Sequence, residues 1–116
     1  MATGKPLTKT RPQRRKLVVT ENFLNELSTV LIYGETVFGK DAAERFFSEV
    51  MARIEALPFF PDANPINRFV KSTETKTYRY IVHSSYYIVY SVSKTTIRVI
   101  SIIHQSSSPK KIRKKK

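Results

Sequence analysis

The chain has 116 residues, 41% of them hydrophobic and 11% aromatic, enough for one domain with a core of its own. It has no cysteine and only two histidines, His83 and His104, which excludes disulfides and thiolate metal sites and makes a histidine-based metal site a poor expectation. No apolar run approaches the roughly 18 residues of a membrane span, and no continuous apolar segment follows the basic N-terminus, so the expectation is a cytoplasmic protein with no membrane partner.

The formal net charge is +12, and it is carried by the ends. Residues 1–16 hold Lys5, Lys9, Arg11, Arg14, Arg15 and Lys16 without an acid; residues 109–116 hold Lys110, Lys111, Arg113, Lys114, Lys115 and Lys116 without an acid. Residues 17–108 have nine Lys/Arg and nine Asp/Glu and are formally neutral. The expected organisation is a basic N-terminal tail (1–16), one domain (17–108) and a basic C-terminal tail (109–116). The tails either contact phosphates or an acidic protein through salt-dependent increments, or serve solubility alone.

In chain order, Arg15 to Thr20 reads as a short edge strand. Thr20 is a suitable N-cap for a helix from Glu21, whose apolar stripe is Phe23, Leu24, Leu27, Val30 and Leu31. Gly34 is a weak point and Gly39 a stop. A second helix begins at Asp41, with Ala42, Ala43, Phe46, Phe47, Val50, Met51, Ile54 and Leu57 on its apolar face, and Pro58 ends it. The short Phe38-Gly39-Lys40 link makes the pair a helical hairpin. In the proline-ruled stretch 58–65, Phe59 and Phe60 are expected to plug the seam between sheet and helices. Residues 66–77 hold either a brief strand or an ordered loop.

Three segments rich in aromatic and β-branched residues follow: Tyr78–Val82, Tyr86–Val92 and Ile97–Ile103. The gaps between them are too short for parallel crossovers, so the strands form an antiparallel meander. The whole reads as an α+β domain, β-α-α-β-β-β, with the helices on one face of the sheet. If Ser84-Ser85 and Lys94-Thr95 are both two-residue turns, Tyr87, Arg98 and His104 share one face and Arg79 lies on the other; a slip of one residue reverses a strand's faces.

The helix from Phe23 to Gly39 with Tyr33 and Phe38 at its end, Asp41-Ala42-Ala43…Phe46, Leu57-Pro58, Asn64-Pro65, Tyr78-Arg79, Tyr87-Ile88-Val89-Tyr90, and Ile97…His104 followed by Pro109 stand in an order that resembles the RelE/ParE superfamily of bacterial toxins. The likeness covers roughly Leu17 to Ile112, and Tyr78-Arg79 with the terminal His-x(4)-Pro looks like the ParE branch. The resemblance implies a toxin of a type II toxin–antitoxin module, no cofactor or metal, and a cognate antitoxin, usually acidic, that also links the toxin to operator DNA. It implies one of two actions: binding of DNA gyrase, as in ParE-like members, or mRNA cleavage on the ribosome, as in RelE-like members; a third reading is a weakened, non-toxic relative that only binds an acidic protein or nucleic acid.

Cleavage through the 2′-hydroxyl needs an acid, a base and cations around the phosphorane. His104 is the candidate acid or base, and Arg79 and Arg98 are the candidate cations. RelE-like nucleases usually carry Arg or Lys near the end of the last strand, where this chain has Gln105-Ser106-Ser107-Ser108, and often arginine near the position of Tyr87. This departure favours a toxin that binds its target. The candidate target- or partner-binding residues are then Tyr78, Arg79, Tyr87, His104, Gln105, Lys110, Lys111 and Arg113. Arg79 is expected to pair with a helix acid such as Glu49 or with the antitoxin. A partner is expected to cover an apolar groove beside the helical hairpin.

Overall fold

The computed structural model describes residues 15–67, 72–73 and 75–106. Its elements are β1 (Lys16–Val19), α1 (Glu21–Phe38), α2 (Lys40–Glu55), β2 (Thr77–His83), β3 (Tyr86–Val92) and β4 (Thr96–His104). The strands form one mixed sheet in the order β1-β4-β3-β2, with β1 parallel to β4 and the other pairs antiparallel. This is the expected β-α-α-β-β-β arrangement, with β1 on one edge.

Local chemistry sets the helix ends. Thr20 is extended (φ −75°, ψ 157°), and its hydroxyl accepts from the Phe23 N–H at 3.1 Å, which satisfies one of the free donors of α1. Glu21 stands in the first turn, where the helix dipole favours a carboxylate. The helix runs through Gly34 and ends at Phe38; Gly39, at φ +98°, then reverses the chain directly into α2, one residue earlier than Asp41. That φ is why the link is a glycine.

Phe23 and Leu27 of α1 and Val50 and Ile54 of α2 pack onto Ile81, Ile88, Tyr90, Val92, Ile97, Val99 and Ile102. Each such apolar side chain contributes about 1.5–3 kcal/mol by leaving water. A smaller cluster, Tyr78, Val89, Ile100 and Ile103, lies on the opposite face with Tyr87 against it.

Three expectations are corrected. Phe59 and Phe60 do not plug the seam: they are 55% and 66% exposed, while Leu57 is buried. The helix stops at Glu55, and the tight turns after it, with Phe59 N–H donating to Ala56 O and Phe60 N–H to Leu57 O, send Leu57 inward and the two rings outward. Arg79 does not pair with Glu49; it lies beside Asp62, and Glu49 lies 3.3 Å from His83. The expected division of faces also fails, although both turns are two residues long. A β-bulge shifts the β3–β4 register between Val89 and Tyr90. Tyr90 faces Val99 but Val89 faces Ser101, so Ile100 is the extra residue. The distal half of β4 is thereby reversed, and His104 pairs with Tyr86 on the helix-covered side. Arg79, opposite Tyr90, lies on that side too; Tyr87 and Arg98 lie on the other. In the stretch left open by the sequence, Ile66 makes an isolated bridge to Arg79.

Candidate functional site: the groove at the His104 end of the sheet

At the end of the sheet where β2 turns into β3, the helical hairpin stands away from the strands. The cavity left there has a volume of about 620 Å³, and Leu31, Tyr33, Phe38, Phe46, Tyr86 and His104 are among its lining residues. Tyr33 and Phe38 are 57% and 69% exposed, a large apolar surface to leave in water. Its described lining contains no Lys, Arg, Asp or Glu.

The rings form a ladder along one wall. His104 meets Tyr86 edge-on at 5.2 Å, Tyr86 meets Phe46 at 5.6 Å, and Phe46 meets His83 at 5.3 Å. Burial, with a smaller electrostatic contribution from Tyr33, raises the Tyr86 hydroxyl above its ordinary pKa of 10.0, so it is a neutral hydrogen-bonding group in the groove. The His104 ring is exposed. Its Nδ1 accepts from the Ser106 N–H at 3.1 Å and lies 2.8 Å from the Ser106 hydroxyl. An Nδ1 that accepts places the ring proton of the neutral imidazole on Nε2.

The candidate cations do not gather around this imidazole. Arg79 stands about four residues away along the strands, roughly 13 Å at about 3.3 Å per residue. Its Nη1 donates to the Asn64 carbonyl at 2.6 Å and its Nη2 is 3.6 Å from Asp62 Oδ1. Asn64 in turn donates to the Tyr90 hydroxyl at 3.1 Å, and that hydroxyl donates to Pro61 O at 3.3 Å. Arg79 therefore ties the proline-ruled loop to the sheet. Arg98 is exposed on the far face, beside Ser91 and Val18. That face also holds Tyr78, which is buried, and Tyr87, whose ring meets Tyr80 at 5.2 Å. Gln105 stays at the His104 end, with its Nε2 donating to Ser84 O at 3.3 Å. Lys110, Lys111 and Arg113 lie outside the described residues, as do Arg68 and Lys71.

Reasoning from sequence misses Tyr86 and Phe46 at this surface, because Phe46 reads as core and Tyr86 as strand packing. Their signal is the Ser84-Ser85 turn, which fixes Tyr86 opposite His83; the pairing with His104 depends on the bulge, which no local pattern announces. A second groove, about 710 Å³, runs between the two helices and is lined in part by Leu24, Ile32 and Phe47, all at least 43% exposed. Among the described residues no group of three His, Asp or Glu side chains is arranged to hold a metal ion, and no helix is long and apolar enough to cross a membrane. The arrangement at the His104 end suits the docking of an apolar segment: exposed rings, neutral hydroxyls and one imidazole.

Comparison with known proteins agrees with the architecture. A search of curated proteins finds no match. Among solved structures, the chromosomal ParDE toxin–antitoxin system of P. aeruginosa superposes with a TM-score of 0.63 at 10% identity, covering 78% of this chain and 96% of that one. The archaeal RelE–RelB complex of Pyrococcus horikoshii OT3 superposes with a TM-score of 0.53 at 13% identity, covering 83% and 100%. At such identities these likenesses concern the fold. The family model of the ParE toxin of the type II toxin–antitoxin system parDE matches residues 17–109, most of the chain. The chain thus belongs to the ParE toxin family, within the RelE/ParE superfamily.

Proposed function

We propose that this protein inhibits growth by binding a large target, DNA gyrase, and that a cognate acidic antitoxin neutralises it by covering the groove at the His104 end. The observation that carries this reading is the separation of charge from the imidazole: Arg79 is engaged by Asp62 and Asn64, Arg98 is on the other face, and the groove lining is uncharged. A phosphorane needs cations held in place beside the acid or base, and the described residues hold none there. Exposed Tyr33 and Phe38 are the kind of aromatic anchors that dominate protein interfaces. His104 and Gln105 complete the partner-binding rim, with Tyr78, Tyr87 and Arg79 as supports of the sheet behind it and Lys110, Lys111 and Arg113 supplying charge attraction to an acidic partner. In this reading operator DNA is reached only through the antitoxin, and the protein works in the cytoplasm.

A supercoiling assay with purified gyrase tests the target. Inhibition at micromolar protein, relieved by the co-expressed neighbouring gene product, supports the reading; full supercoiling activity at that concentration contradicts it.

A further inference from the structure

The β-bulge that sends His104 into the groove is paired with β3 on both its sides and also meets a second element. It is held from the outside by the first turns of α1. The Glu26 carboxylate oxygen Oε1 accepts from the Ser101 hydroxyl at 2.6 Å and from the Ile102 N–H at 3.1 Å, the two residues just past the extra one. Asn22 Nδ2 donates to the carbonyl of Ile100 itself at 2.9 Å, and also to Glu26 Oε1 at 3.3 Å. The Thr20 hydroxyl lies 2.9 Å from Val99 O and 3.2 Å from Ile100 O. The start of one helix thus supplies side-chain partners to the backbone of Val99, Ile100 and Ile102 around the bulge.

The consequence for the groove follows from the pairing. The β3–β4 turn alone sets Tyr90 opposite Val99; continued without a bulge, that register places Ile103, not His104, beside Tyr86. His104 would then point to the outer face, beside Tyr87, since a one-residue shift exchanges the two faces. With the bulge, His104 faces Tyr86 and its ring lies 5.2 Å away.

We infer that Glu26 is a positioning residue: by accepting from Ser101 and Ile102 it selects the bulged register of β4 and so delivers His104 to the partner groove. This rests on the groove being the working surface, but the register claim is read separately from it. The test is two-dimensional NMR on the full chain, following the nuclear Overhauser contact and ring-current shift between Tyr86 and His104. In Glu26→Ala the contact is lost and a His104–Tyr87 contact replaces it. In Glu26→Gln, which keeps one acceptor oxygen, the original contact returns. Deleting Ile100 removes the extra residue and leaves a regular ladder in which His104 still faces Tyr86, so Glu26→Ala combined with that deletion keeps the contact.

A folded Glu26→Ala protein that retains the Tyr86–His104 contact overturns the inference. If Glu26→Ala alone does not fold, the double variant decides: a folded Glu26→Ala protein with Ile100 deleted that keeps the Tyr86–His104 contact supports the inference, and loss of the contact or of folding there overturns it. The growth assay reads the other claim. Glu26→Ala abolishes toxicity only if the groove is the working surface, whereas a changed NMR contact with full toxicity spares the inference and removes the reading of the groove.

Discussion

The two ends of the helix-covered sheet face are built from similar materials and do opposite things. At one end Arg79, Tyr90, Asn64 and Asp62 close the fold: the phenol is fully buried, and the guanidinium is spent on a loop carbonyl and a carboxylate. At the other end Tyr86, His104, Tyr33 and Phe38 are left partly or wholly open around an empty volume, with no fixed cation among them. The sequence singles out His104, Arg79 and Arg98 as candidates for one chemical site; the structure puts Arg79 in a clasp with the loop, Arg98 on the other face and His104 at an open, uncharged groove. Residue type does not make a catalytic group; convergence on one reacting position does.

Substitutions at the two ends should therefore split stability from action. The largest effect is expected for Tyr90→Ala, which removes a wholly buried ring and should cost about 3–5 kcal/mol in urea unfolding. Phe38→Ala at the open end should change stability by less than about 0.5 kcal/mol, as for other exposed positions, while weakening partner binding at least tenfold by titration calorimetry. Equal stability losses at the two positions would erase the contrast.

Arg79→Met comes next, at roughly 1–3 kcal/mol, because the Asn64 carbonyl loses its donor and Asp62 its neighbour. Toxicity measured at a temperature where this variant is folded should be unchanged; abolished toxicity there would return Arg79 to the working site. Gly39→Ala should cost about 1–3 kcal/mol, since φ +98° strains any residue with a Cβ although open space surrounds it.

The smallest effect is alkaline. Burial raises both Tyr86 and Tyr90 above 10.0, so their contribution to stability is complete below about pH 10 and is lost as pH rises through their folded values. Tyr86→Phe should flatten the fall in stability above that pH, as followed by denaturation at stepped pH. A fall as steep as in the parent would place the titrating group elsewhere.

Much of the scaffold was legible because its signals are local. Thr20 before Glu21 marks the helix start, Gly39 between two apolar stripes marks the hairpin, and three aromatic and β-branched runs with gaps of a few residues impose an antiparallel meander. Phe59 and Phe60 misled because their apolarity says nothing about the turn geometry that aims them outward. His104 misled for a deeper reason. Its face depends on one extra residue, Ile100, at a bulge whose next two residues donate to a glutamate far away in sequence, and alternation cannot report such a bulge. Arg79 was ambiguous for the same cause, since its partners come from an irregular loop whose path no periodicity describes.

The central claim is that the protein acts by gripping a target through an uncharged groove, and its most direct test is primer extension on mRNA in a translating bacterial extract supplied with the purified chain. The account predicts intact messages at concentrations that arrest growth. Codon-phased cuts that disappear with His104→Ala would contradict it.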